Sequence, residues 1–273
     1  VYSLDVFTVD QDVTPGNRAA SNTNKMKRVS MSTDKHKNDI YGDLNKRKTD
    51  EPAIAAATVV LLRDGSDGVE VLMLRKNARI DFGGMWVFPG GKIDPDDYRG
   101  GDDLEAAARC AASRESEEEA GISPASDQFV WFAHWTPPAS TARRYATWFF
   151  AAQAEIDEPI QIDGGEIEEH AWINPAKALE KHGQGEIDLA PPTWVTLYEL
   201  SRYQPTTAVL EHLASREPKV YETHVAERSD GVRVAMWHGD AGYESWDPDL
   251  DGDRHRLVMA RGGFTFENDV ENY

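Results

Sequence analysis

The chain has 273 residues, 40% of them hydrophobic, and its 48 acidic against 29 basic side chains give a formal charge of −19. That length allows one elaborated domain or a domain with an appendage, and the apolar runs fall short of the roughly 20 residues that a membrane span needs. A surface so negative would repel a nucleic-acid backbone, so neither nucleic acid nor membrane is expected as a partner, and an acidic protein acting on anions needs a local remedy such as metal-binding carboxylates.

Residues 1–52 are polar, without a sustained period, and are expected to form a disordered tail. The tail holds 9 of the basic and 8 of the acidic residues, so the acidity belongs to the remaining 221 residues. Met31 is a candidate physiological start. With one cysteine, Cys110, and no basic-then-apolar leader, a cytoplasmic setting is expected. The composition says nothing of oligomeric state.

From Ala53 two β-prone runs, AIAAATVVLLRD and VEVLMLRK, are joined by a turn-rich link at Asp64–Gly68. The Gly-rich FGGMWVFPGG and the loop IDPDDYRGG lead to DDLEAAARCAASRESEEEAG, which reads as a helix over 102–120 with Asp at its start and Gly121 just past its end. Strands are expected over 129–134 and 145–152, then a strand and helix around AWINPAKAL. Beyond Pro191 lie two helical stretches, TWVTLYELSRY and 206–215, and strand-like runs near 220–227 and 232–238. The expected domains are 53–190 and a helix/hairpin extension, 191–273, packed on it.

The sharpest chemical signal is RESEEEAGI. On a helix, Glu115, Glu118 and Glu119 stand three and four residues apart and lean toward one face. Carboxylates crowded in this way repel one another unless cations lie between them, and hard oxygen ligands favour Mg²⁺ or Mn²⁺. The same run on its own would read as a solvated acidic face.

These residues resemble the Nudix box, G-x5-E-x7-R-E-U-x-E-E-x-G-U with U aliphatic. Gly91 matches its first Gly, and Arg114, Glu115, Glu118, Glu119, Gly121 and Ile122 match its closing half. The stretch from Gly91 to Arg114 spans 23 positions where the pattern has 14, and Ser116 replaces the aliphatic residue. Counted back from Arg114, Ala106 takes the place of the middle Glu and Glu105 is one residue off. The resemblance covers about 53–189 and implies an α/β fold, a Nudix-type α/β/α sandwich with a mixed sheet. It implies metal ligation by Glu115, Glu118, Glu119 and the Gly91 carbonyl, with Arg114 orienting a carboxylate. The implied activity is hydrolysis of a phosphoanhydride in a nucleoside diphosphate derivative. Glu166, Glu168 and Glu169 are candidate general bases, with Glu166 the first choice; an acidic loop before a strand is the plainer reading of each.

Arg75, Gly84 and Phe88-Pro89-Gly90-Gly91 fall in register with the coenzyme A motif of a branch that includes peroxisomal coenzyme A diphosphatases, whereas Met73, Lys76 and Ile80 do not. Coenzyme A or an acyl-CoA is therefore the first substrate expected, with ADP-ribose and nucleotide sugars as rivals. A Nudix fold that senses a ligand without catalysis is the reading of another class, and the intact box carboxylates argue against it. Arg75, Arg79 and Arg144 are expected to bind phosphate, with Arg143 behind Arg144. Trp86 or Trp135 is a candidate for stacking on a base. The run 247–253 begins like a calcium loop but has Val258 where the bidentate Glu belongs, so calcium binding is not expected.

Overall fold

Strand β1 (Ile54–Gly65) owes its unbroken apolar run to burial on both faces: Val59 and Leu61 join one hydrophobic cluster, Val60 and Leu62 the other. The computed structural model describes residues 35–44, 51–141, 143–154 and 159–270. Met31 and most of the polar tail lie outside them. Around β1 assemble β2 (Gly68–Lys76), β3 (Met85–Val87), β4 (Gly90–Lys92), β5 (Val130–Thr136), β6 (Tyr145–Gln153), β7 (Ile167–Ile173) and β8 (Asp188–Leu189). The sheet is mixed. β6 runs parallel to β1, β8 parallel to β3, and β2 and β4 pair antiparallel with successive halves of β1's other edge.

Helix α1 (Leu104–Ala120) starts where the Asp103 side chain accepts from the Ala106 N–H at 3.2 Å. It stops at Gly121, whose left-handed φ of 72° returns its N–H to the Glu117 carbonyl. Ala108, Ala111 and Ala112 are fully buried against β1, and these small side chains let the helix lie close to the sheet. The closeness sets the depth of the glutamates at the helix's C-terminal end.

The opposite face is covered by α2 (Pro175–Gly183), α3 (Pro191–Leu200) and α4 (Thr206–Ala214), which completes an α/β/α sandwich. Next, β9 (Lys219–Glu222) adds to the main sheet parallel to β5. A second, antiparallel sheet is built from β10 (His224–Glu227), β11 (Arg233–Met236), β12 (His255–Ala260) and β13 (Gly263–Asn268). One cluster unites Val60, Trp135, Trp194, Tyr221, Trp237, Leu257 and Phe264, so the core continues through position 190. Among the described residues no helix is long and apolar enough to cross a membrane.

Residues 35–44 correct the reading of the whole of 1–52 as disordered. Tyr41 is buried in the shared core, Asp39 pairs with Arg233 at 2.7 Å, and Asn38 donates to Asp188 at 2.9 Å. A lone aromatic in a polar segment carries no periodic signal, yet its burial and the ion pairs Asp39–Arg233 and Lys37–Asp188 anchor the strap. The Asp247 loop is tied up internally, with Asp249 accepting from the Ser229 N–H and hydroxyl.

Candidate active site

The FPGG turn brings its backbone against the last turns of α1. Gly90 pairs with Thr58 and Gly91 with Ala57, and the Gly90 N–H donates to Glu119 Oε2 at 2.9 Å. A Cβ on Gly91 would lie 2.3 Å from Glu115 Oε1, so only glycine leaves room for that carboxylate. The box glycine therefore lets the main chain approach the acidic helix.

Glu115, Glu118 and Glu119 all line one cleft of about 1330 Å³. Glu119 is 4% exposed, and burial pushes its carboxyl up to about 7 although Lys76 Nζ stands 3.3 Å away. Burial also raises Glu115. Arg114 bonds to Glu115 at 2.9 Å and Glu118 at 3.2 Å. Among the described residues no three His, Cys, Asp or Glu side chains meet around a single point. The carboxylates turn instead to Arg114, Lys76 and the Gly90 N–H. The donor set still fits a hard divalent cation: oxygen ligands, a glycine cradle, and two carboxyls whose desolvated charge calls for positive compensation.

Asp97 is the residue that sequence reasoning missed. It is 6% exposed and receives two bonds from Arg114, Nε at 3.1 Å and Nη2 at 3.0 Å, and one from the Asp94 N–H. Burial alone would raise its carboxyl, but the Arg114 bonds outweigh it and hold it below the usual range. Their main effect on Arg114 is to hold it charged. Asp97 lies six positions after Gly91, where the pattern has its middle Glu. The extra nine residues thus fall between Asp97 and Arg114, and counting forward from Gly91 would have found it. Ser116, in the aliphatic position, is fully buried, and its hydroxyl has no hydrogen-bond partner among the described residues.

The expected phosphate ligands separate. Arg79 lines the cleft, as do Lys76, Lys92 and Arg143. Arg75 lies off the cleft wall and pairs with Glu169 at 2.5 Å and Glu168 at 3.4 Å. Arg144 also lies off the wall, donating to the carbonyls of Pro137 and Glu51. Arg143, ranked behind it in sequence, reaches Asp81 inside the cleft. Of the three candidate bases only Glu166 lines the cleft. Its loop is organised by Asp163, whose carboxylate accepts the N–H groups of Gly165, Glu166 and Ile167. Trp135 is 3% exposed with its ring stacked on Tyr221 at 3.6 Å, so this face is not open to a base.

Comparison with known proteins bears on the family and the fold. The family model described as "NUDIX domain" matches residues 52–192. A curated relative, "Putative nudix hydrolase 7" of Caenorhabditis elegans, is 26% identical over 168 residues, covering 48% of this chain and 55% of that protein. The match therefore spans about half the relative's length. The crystal structure of a NUDIX hydrolase from Alicyclobacillus acidocaldarius superposes with a TM-score of 0.55 at 21% identity, over 62% of this chain and 100% of the other. The chain belongs to the NUDIX domain family.

Proposed function

We propose that the chain is a divalent-metal-dependent hydrolase that cleaves a phosphoanhydride bond in a nucleoside diphosphate derivative. The observation that carries this is the gathering of Glu115, Glu118 and Glu119 with the Gly91 main chain and Arg114 in one cleft. Glu115, Glu118, Glu119 and the Gly91 carbonyl would hold Mg²⁺ or Mn²⁺. When bound, the ion neutralises diphosphate charge and lowers the pKa of water. Asp97 fixes Arg114, and Arg114 in turn orients Glu115 and Glu118. Lys76, Arg79 and Arg143 bind phosphoryl oxygens from the cleft wall. Glu166 accepts the proton of the attacking water as the phosphorus–oxygen bond to the leaving phosphate breaks.

Coenzyme A or an acyl-CoA is the first substrate proposed, on the register of Gly84 and FPGG. ADP-ribose or a nucleotide sugar is the second reading, favoured by the position of Arg75 outside the cleft, which removes the coenzyme A motif's arginine from the substrate's reach. A screen of nucleoside diphosphate derivatives with Mg²⁺ or Mn²⁺, with products identified by mass, tests the reaction. Release of 3′,5′-ADP from coenzyme A supports the first reading. ADP-ribose turnover with kcat/KM more than about tenfold above every CoA ester, roughly 1.4 kcal/mol, selects the second. No metal-dependent cleavage of any of these compounds would overturn the hydrolase assignment.

A further inference from the structure

A second pocket, of about 370 Å³, lies between the strap, the end of α2 and the turn from β12 to β13, and shares no lining residue with the cleft of the glutamates. Its charge is opposite to that of the chain. Among the described residues it is lined by Lys35, Lys37 and Arg261 together with His36 and His182, and by no carboxylate. Asp188 stands 2.5 Å from Lys37 and Asp39 stands 4.0 Å from Lys35, but Asp39 is also paired with Arg233, so positive charge remains in excess. In a protein of formal charge −19, three cations around one cavity reverse the local field.

The two imidazoles are 7% and 4% exposed, their ring centroids are 5.6 Å apart, and Asn38 fixes the tautomer of both. The Asn38 main-chain N–H donates to His36 Nδ1 at 3.1 Å, which leaves the proton of His36 on Nε2. The Asn38 side-chain Nδ2 donates to Asp188 at 2.9 Å, so its Oδ1 faces His182 Nε2 at 3.0 Å and accepts from it, which leaves His182 Nδ1 as a lone pair. Burial, the largest influence on each ring, holds both below the ordinary imidazole value and so neutral at pH 7. Neither His36 Nε2 nor His182 Nδ1 has a hydrogen bond among the described residues, and neither is sealed from solvent. The pocket therefore offers one fixed donor, one fixed acceptor and three cations.

We propose that this pocket is a binding site for inorganic hydrogen phosphate, separate from the active site. The acceptor decides the anion. Sulfate oxygens only accept, so sulfate would set one of them against the His182 lone pair. Inorganic phosphate keeps at least one O–H at neutral pH, which donates to His182 Nδ1 while its other oxygens accept from His36 Nε2 and the cations. A phosphomonoester is mostly the dianion at neutral pH and lacks that O–H. Hydrogen bonds of about 2.8 Å to each ring let one small anion bridge the two. Gly183 and Gly262 keep the wall clear: neither has a left-handed φ that would demand glycine, and a Cβ on either would meet nothing within 4 Å. Further along the strap, Ile40, Tyr41 and Gly42 line the active-site cleft, so an anion held here braces one wall of that cleft against α2.

Calorimetric titration of the metal-free chain with sodium phosphate at neutral pH, with sodium sulfate and methyl phosphate as comparisons, measures affinity, and NMR of the imidazole resonances locates the binding. The expected result is a millimolar or tighter Kd for phosphate, sulfate and methyl phosphate each bound at least about fivefold more weakly, and phosphate-dependent shifts of the His36 and His182 resonances. Lys37→Gln with Arg261→Gln removes two exposed cations outside the active site, and should weaken phosphate at least about tenfold while the unliganded Tm stays within about 2 °C of the parent. If the double variant melts lower than that, the imidazole shifts of the parent decide. Absence of phosphate binding overturns the site, as do equal affinity for sulfate and unshifted His36 and His182 resonances. Undiminished phosphate binding by a stable double variant places the anion elsewhere and overturns it too. None of these outcomes depends on turnover, so the hydrolase reading stands or falls separately.

Discussion

Gly90 and Gly91 are adjacent, yet alanine at each should fail in a different way. A Cβ on Gly91 would meet the Glu115 carboxylate at 2.3–2.6 Å, the far end of a flexible side chain. Restoring ordinary contact requires that carboxylate to move by about 1 Å. The Gly91 backbone is not left-handed, so alanine fits its conformation, and the more restricted unfolded chain offsets small strain, leaving stability within about 1 kcal/mol of the parent. A displacement of about 1 Å in a catalytic ligand costs on the order of 10²-fold in rate. At Gly90 the Cβ would instead meet backbone, the Ala57 carbonyl oxygen at 2.5 Å and Thr58 Cα at 2.7 Å. Backbone cannot swing away, so Gly90→Ala should lose about 2–3 kcal/mol, roughly 5–10 °C in Tm. Thermal melts and steady-state kinetics on the two variants make the comparison. Wild-type turnover by Gly91→Ala, or equal loss of Tm in both, would refute the reasoning.

Asp97→Asn should lower Tm by several degrees and cut activity, because Arg114 loses a buried carboxylate that holds it by two bonds; unchanged kinetics would show that Arg114 needs no such anchor. Ser116→Ala removes a buried hydroxyl without a partner and improves helix propensity, so Tm should hold or rise by the equivalent of about 0.5–1 kcal/mol, and a clear fall would reveal a hidden bond. His182 is brought down to about 4 by burial first and then by the charges of His36 and Lys37, so its folded pKa lies below its unfolded value near 6.5. Its contribution to stability is present above pH 6.5 and lost as pH falls from there toward 4, on the order of 3 kcal/mol at most, and an NMR titration placing its pKa above 6 would contradict this.

The parts of the site that obey local rules were legible in the sequence. The Asp start and glycine stop of α1 are chemical signals, and three glutamates at helical spacing announce a shared face. What the sequence hid depends on which chain segment meets which in space. Arg143 and Arg144 are neighbours with equal charge, yet one enters the cleft and the other turns to the carbonyls of Pro137 and Glu51, a difference that charge alone does not encode. Asp97 was obscured because an insertion moves the register between Gly91 and Arg114. Tyr41 reaches the core from a polar strap, and β12 and β13 form a hairpin that the pattern reading passed over. Structure also alters one expectation about charge. Glu119 bonds to the Gly90 N–H and to Lys76, so Glu119→Gln removes an ion pair as well as repulsion and does not isolate metal binding.

Glu118 is the cleaner probe, since its side chain is 59% exposed and, among the described residues, its one ion pair is with Arg114 at 3.2 Å. Glu118→Gln keeps the shape and removes one negative ligand. Turnover of the best substrate should be measured across a Mg²⁺ titration, beside melts of the metal-free protein. The account predicts a fall of about 10²-fold or more in kcat/KM at limiting Mg²⁺, with metal-free stability changed by no more than a few tenths of a kcal/mol. Wild-type turnover by Glu118→Gln at limiting Mg²⁺ would contradict it.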